Sequence, residues 1–377
     1  MKNICIVVSS PMTVNVFLKD QVLALSNRYK MSIVANTQDI GLLDVIKSRT
    51  EVIHICIERK ISLINDIKAF FSLYYMLSRK NYAAVHSVTP KAGLLAMSAA
   101  FFARIPVRIH TFTGQIWANS TGIKKLIFKL MDRMLTAFST HILIDSNSQK
   151  TFLVEQGIVS KDKSRVLAKG SISGVDTELF KPDLEVRADL RNSLDIRKDD
   201  VVFLYLGRLN KDKGLLDLGF SFSRICAIYD NVHLLIVGPD EEDIKACLIK
   251  SFNNCLDKIH FIDYTGEPQN YMACADVFCL PSYREGFGSV IIEAASTGIP
   301  SAASRIYGIT DAVEDGITGL LHEAGNTDQL IEIMKRFIDN PDLRETMGEK
   351  ARVRAVRDYP NKVVTEALLD YYNTILR

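Results

Sequence analysis

The chain has 377 residues, 47% of them hydrophobic and 24% charged, with seven cysteines and a formal net charge of +2. That is enough apolar side chain for two α/β domains of ordinary size, and it argues against a disordered protein. The cysteines form no Cys-x-x-Cys pair, and the longest apolar run, Ala92 to Ala103, is about half the roughly 20 residues a membrane-spanning helix needs; neither disulfides, zinc nor a spanning helix is expected.

In chain order, short apolar runs predict strands at Ile4 to Ser9, Met31 to Ala35, Glu51 to Cys56, Ala83 to Ser87, Val107 to Thr111 and His141 to Ile144. The amino terminus enters the first of them without the apolar stretch and cleavage site of a signal peptide, so a cytoplasmic protein is expected. Ser9-Ser-Pro-Met-Thr13 follows the first strand in place of Gly-x-Gly-x-x-Gly, which argues against a dinucleotide oxidoreductase. Residues 67–82 and 123–138 read as amphipathic helices with lysines among apolar residues, a pattern compatible with core-facing helices or with an interface rich in anionic headgroups. Loops 86–93 and 108–117 follow two of the strands, and they offer Lys91 for a phosphate and His110, Thr113 and Gln115 for sugar hydroxyls; Thr13 belongs to the same group of candidates.

A polar, irregular region from about Lys169 to Asp200 reads as the domain linker. Beyond it, strands are expected at Val201 to Gly207, His233 to Val237, Ile259 to Ile262, Val277 to Leu280 and Ser301 to Ser304. Alternation of strands with helical segments on both sides of the linker is the pattern of parallel sheets wound with helices. The first strand of this half runs into Gly207-Arg208-Leu209 and Lys213-Gly214. Arg binds phosphate oxygens through a bidentate fork and Lys adds a compact charge, so the two suit a diphosphate that gains charge as it leaves. Further on, Glu285-Gly286-Phe287-Gly288-Ser289 opens a helix that carries Glu293 and is closed by Gly298 and Pro300. The glycines let backbone amides approach a ligand, the helix start can receive an anion, Glu285 faces the reacting end, and Glu293 is placed for vicinal hydroxyls such as those of a ribose.

Glu-x7-Glu around Gly-Phe-Gly, followed by Gly-x-Pro and preceded by Gly-Arg-Leu-x-x-x-Lys-Gly, resembles the signature of the family 4 retaining glycosyltransferases. The resemblance implies a glycosyltransferase-B type α/β fold, with two Rossmann-like domains whose parallel sheets face across a cleft. It implies residues 1–175 as the acceptor-side domain, 176–360 as the nucleotide-sugar domain, and 361–377 as a helix crossing back to the first. It assigns catalysis to Glu285, Arg208 and Lys213, and donor binding to Gly207, Glu293, Gly286, Phe287, Gly288 and Ser289, with Tyr264 and Thr265 near the base. Two departures stand out: the position where many members carry a histidine before a glycine is Thr113, with His110 three residues earlier, and Ser173-Gly174-Val175-Asp176 lacks the family's asparagine.

The expected activity is metal-independent and cofactor-free transfer of a hexosyl or N-acetylhexosaminyl group, with retention, from a UDP-sugar to a saccharide on a lipid pyrophosphate, in assembly of a bacterial surface polysaccharide such as an O-antigen or capsule. A catalytically silent nucleotide-sugar or lipid-binding module on the same fold is the alternative. Residues 1–170 hold 23 Lys+Arg against 10 Asp+Glu and residues 171–377 hold 23 against 34, charges of +13 and −11. The basic half favours peripheral contact with an anionic membrane, whereas no recognisable RNA motif supports a nucleic-acid partner.

Overall fold

The computed structural model describes residues 1–38, 40–58, 62–251 and 255–377. The chain forms two units, one of Met1–Ser173 with Asn361–Arg377 and one of Gly174–Pro360.

The first unit is built on strands β1 (Asn3–Val7), β2 (Lys30–Ala35), β3 (Glu51–His54), β4 (Tyr82–Val88), β5 (Val107–Phe112), β6 (His141–Ile144) and β7 (Ser164–Arg165). They lie in the order β3-β2-β1-β4-β5-β6-β7, and all pairs are parallel. Ile4 sits opposite Met31 on one side and Ala84 on the other. Side chains alternate between faces with a period of two. Cys5 and Val7 therefore enter a core with Val34, Val85 and Phe112, while Ile4 and Ile6 enter another with Ile33, Ala84 and Ile109. Burial on both faces explains why these strands read as nearly continuous apolar runs.

Helices Leu63–Arg79, Pro90–Phe102 and Gly122–Phe138 cover the first core. The second is covered by Lys19–Ser26 and by the C-terminal helix Asn361–Ile375, which buries Val364, Leu368, Tyr371 and Tyr372 at helical spacing. Tyr29 donates to Asn373 Oδ1 at 3.1 Å and Asn361 to Asp20 Oδ2 at 2.8 Å, which ties the C-terminal helix to the start of the chain.

The second unit contains β8 (Val201–Leu206), β9 (Val232–Val237), β10 (Ile259–Ile262), β11 (Val277–Leu280), β12 (Ser301–Ser304) and β13 (Gly319–His322), in the all-parallel order β10-β9-β8-β11-β12-β13 around one core. Both sheets are of the doubly wound, Rossmann-like kind.

The region read as a linker is more structured than its polarity implied. Residues Leu184–Ser193 form a helix capped by Asp183, and Arg187 and Arg191 each reach an oxygen of Asp276 at 2.7 Å. Its charges are anchors onto the second unit, which begins at Gly174.

In each sheet the strand order reverses beside the first strand, between β1 and β4 and between β8 and β11. Loops leaving the carboxyl ends of such a pair diverge to opposite sides and open a crevice for ligands.

Candidate active site

The loops after β8 and β11, which flank the reversal in the second sheet, are joined to each other. Lys211–Lys213 makes one 3₁₀ turn that ends at Gly214, whose φ of +68° suits glycine. A Cβ there would lie 2.0 Å from the carbonyl oxygen of Pro281, so only glycine permits this approach. The Tyr283 amide donates to the Asp212 carbonyl at 2.8 Å, and Arg284 Nη2 lies 2.7 Å from Asp212 Oδ2. Tyr283 also donates its hydroxyl to Asp217 Oδ2 at 2.5 Å, a bond that pushes its pKa up to about 12.

Between these ties Lys213 Nζ meets Glu285 Oε1 at 2.5 Å, and Ser282 Oγ donates to the same oxygen at 3.0 Å. Both side chains are mostly buried, at 19% and 14% exposure, so the pair is shielded from salt in a way a surface bridge is not. Arg208 is more open and contacts Glu241 through Nη1 at 2.9 and 3.1 Å. The loop after β9 thus holds the loop after β8, helped by the Glu241 amide, which donates to the Leu209 carbonyl at 3.0 Å. Gly207 follows β8 and donates to the Val237 carbonyl at 2.9 Å.

Gly288, at φ +77°, starts helix Ser289–Ser296 without a side-chain cap. The amides of a first helical turn have no intrahelical partner and attract an anion. Glu293 lies on this helix, partly exposed, and desolvation raises its carboxyl to about 8. At neutral pH it is therefore largely protonated and can donate as well as accept a hydrogen bond. Phe287 differs from expectation: it is 2% exposed and its ring packs against Tyr359, so its side chain serves the core and leaves only its backbone to a ligand. Tyr264 is 71% exposed, whereas Thr265 uses its hydroxyl to accept from the Glu267 amide at 2.9 Å.

The candidates of the first unit are more dispersed. Ser9 and Thr89 hydroxyls meet at 3.3 Å across the β1/β4 reversal, with Thr89 at a φ of +79° that a β-branched residue rarely adopts. Thr13 opens a π-helical stretch to Leu18. Lys91 pairs with Asp66 at 2.6 Å, so a phosphate would have to compete with that carboxylate.

His110 and Gln115 are corrections, because neither side chain is at the surface. His110 is fully buried, bonds Ser87 Oγ at 2.8 Å and packs against Gly93, and desolvation lowers its pKa to about 3. Gln115 is 2% exposed and accepts from Gln149 at 3.0 Å, while the Thr113 carbonyl accepts from Gln115 and Gln149. The strand-end positions were readable from sequence, but the depth of each side chain depends on the neighbouring helices.

Asp212, Arg284, Tyr283, Asp217 and Glu241 were missed by sequence reasoning. A signal existed: Asp212 immediately precedes Lys213 and Arg284 immediately precedes Glu285, so opposite charges adjoin both members of a candidate pair. Among the described residues, no three His, Cys, Asp or Glu side chains cluster closely enough to hold a metal ion.

The profile of the family described as "Glycosyl transferases group 1" matches residues 186–354. The capsular polysaccharide biosynthesis glycosyltransferase CapM of Staphylococcus aureus is 31% identical over 332 residues, covering 87% of this chain and 86% of that protein. The UDP-Gal:alpha-D-GlcNAc-diphosphoundecaprenol alpha-1,3-galactosyltransferase of Escherichia coli is 30% identical over 83% of this chain and 81% of its own length. Among solved structures, Anabaena HepE in complex with UDP superposes with a TM-score of 0.81 at 18% identity, over 99% of this chain and all of that one, a likeness of fold.

Proposed function

The chain belongs to the group 1 glycosyl transferases, and from that membership we propose that it moves a sugar from a UDP-sugar, with retention of configuration, to a saccharide carried on a lipid pyrophosphate during surface-polysaccharide assembly. The observation that carries this reading is that Lys213 and Glu285 meet at the strand reversal of the second sheet, just ahead of the uncapped start of the helix Ser289–Ser296, with Arg208 on the loop beside them.

In this proposal the donor diphosphate takes the place of carboxylates now facing the two cations. Arg208 turns from Glu241 and Lys213 from Glu285, and both then meet phosphate oxygens, with the helix start as a third source of positive potential. Glu285, released from Lys213, accepts hydroxyls of the donor sugar, and Glu293 holds the ribose. As the bond between the anomeric carbon and the phosphate oxygen breaks, the acceptor oxygen bonds that carbon from the same face. Its proton passes to the departing phosphate, so no protein carboxylate is required as a base. Such a reaction draws its positive charge from side chains and is expected to persist in a metal chelator.

Two relatives support the acceptor class: one is named for capsular polysaccharide, the other for a diphosphoundecaprenol-linked acceptor and a UDP-sugar donor. A lipid-linked acceptor would keep the protein peripheral at the cytoplasmic face of a membrane. The test is thermal unfolding with UDP, GDP or ADP in EDTA. A ligand at 100 times its dissociation constant adds about 2.7 kcal/mol; UDP alone is expected to raise the transition, and Lys213→Ala to abolish the rise. Equal stabilisation by all three, or by none at saturating concentration, contradicts the donor assignment.

A further inference from the structure

Two helices of the first unit are apolar on two sides. Leu63–Arg79 buries Ala69, Leu73 and Leu77, yet Ile64, Ile67 and Phe71 on another side are each more than half exposed, with Tyr74 and Tyr75 continuing the stripe. Gly122–Phe138 buries Leu135 and Thr136, and Ile123, Leu126 and Leu130 are likewise more than half exposed. A surface helix of a freely soluble domain places polar residues there. Both helices pack against Pro90–Phe102 over the same core, so their outer sides belong to one layer. That middle helix adds exposed Phe101 and Phe102. Phe70 meets Phe102 at 6.2 Å and Phe138 meets Phe101 at 5.1 Å between ring centroids, so aromatic contacts run through all three helices.

The charges on the two outer helices are one-sided. Their sequences hold Lys68, Arg79, Lys124, Lys125, Lys129 and Arg133 against two carboxylates, Asp66 and Asp132. Asp66 is paired with Lys91, and Asp132 is buried and receives the Trp117 indole N–H at 2.6 Å. No carboxylate of these helices is left to oppose their cations. A second copy placed symmetrically on this layer would set like charges against each other, whereas an anionic bilayer complements both the cations and the apolar stripes. No helix among the described residues is long and apolar enough to cross a membrane, so contact through this layer would be interfacial.

We propose that this three-helix layer docks on an anionic lipid surface, with Ile64, Ile67, Phe71, Ile123, Leu126 and Leu130 entering the boundary between headgroups and acyl chains. This deepens the reading above by naming the surface that would bring the chain to a lipid-linked acceptor. It can be tested apart from that reading, because vesicles without saccharide report docking alone.

The experiment is cosedimentation of the full chain with phosphatidylcholine vesicles, with and without about one third phosphatidylglycerol, comparing the native protein with the double variant Ile67→Glu, Leu126→Glu. Both positions are exposed, and an unchanged melting temperature verifies folding. The native chain is expected to bind the anionic vesicles, the variant at least about tenfold more weakly, and raised salt to weaken the native protein. Absence of native binding, equal binding by the variant, or lipid-free self-association that the variant abolishes would overturn the proposal. Docking without sugar transfer would instead count against the proposed function alone.

Discussion

Lys213 and Glu285 lie 72 residues apart in the chain and 2.5 Å apart in space, and their meeting is the most specific product of the fold. Both residues were visible in the sequence because glycine-bearing loops and a fixed spacing surround them. The Asp212–Arg284 pair that helps hold their loops together was not read, since the one signal, opposite charges beside each candidate, gains meaning only when two strand ends adjoin. Burial of His110 and Phe287 was equally invisible, because it depends on Gly93 and Tyr359 from distant segments. Glu293 yields a prediction at this scale. Its folded pKa of about 8 exceeds the ordinary 4.5, so its contribution is fully present below about 4.5 and is lost as pH rises through about 8. Glu293→Gln, neutral throughout, should gain on the native chain by about 2 kcal/mol between pH 5 and 9, less than the full linkage value because part of the side chain is solvated. Urea unfolding at several pH values measures the gap, and a gap independent of pH would refute the raised carboxyl.

Eleven strands were legible, most of them as apolar runs because a strand buried on both faces of a parallel sheet needs no polar alternation; the edge strand Glu51–His54 is largely exposed. The two that were not are β7, with two residues, and β13, which opens on Gly319, a residue depleted in strands. The helix Leu184–Ser193 was obscured for another reason: it holds to its unit through arginines, and a polar helix reads as linker. Loop contacts set a further prediction. Gly214→Ala would force a left-handed residue and drive its Cβ against the Pro281 carbonyl, at an expected cost of about 2–4 kcal/mol. It should also weaken UDP binding by displacing Lys213 from the loop position in which it would meet the diphosphate. A calorimetric melt and a UDP titration check both effects, and an unchanged variant would mean that the two loops are not held in this close approach.

Over the whole molecule, the doubly wound architecture was readable from the repeated alternation of strands and helices, while for the helices within 67–82 and 123–138 the sequence left core-facing and interfacial readings both open. Which of their apolar residues stay outside, those at 64, 67, 71, 123, 126 and 130, is set by the packing of the layer. The charge split, +13 for residues 1–170 and −11 for the rest, follows the same division of roles that we propose, a basic unit for the membrane and an acidic one whose Arg208 and Lys213 are reserved for the diphosphate. The most direct test of that account is to incubate the protein with UDP-sugars and a short polyprenyl-pyrophosphate saccharide and to determine the anomeric configuration of the product by NMR. An α-linked product from an α-configured UDP-sugar is predicted, with Glu285→Gln slowing turnover by about 100-fold; a β-linked product, or UDP binding without transfer to any acceptor, would contradict it.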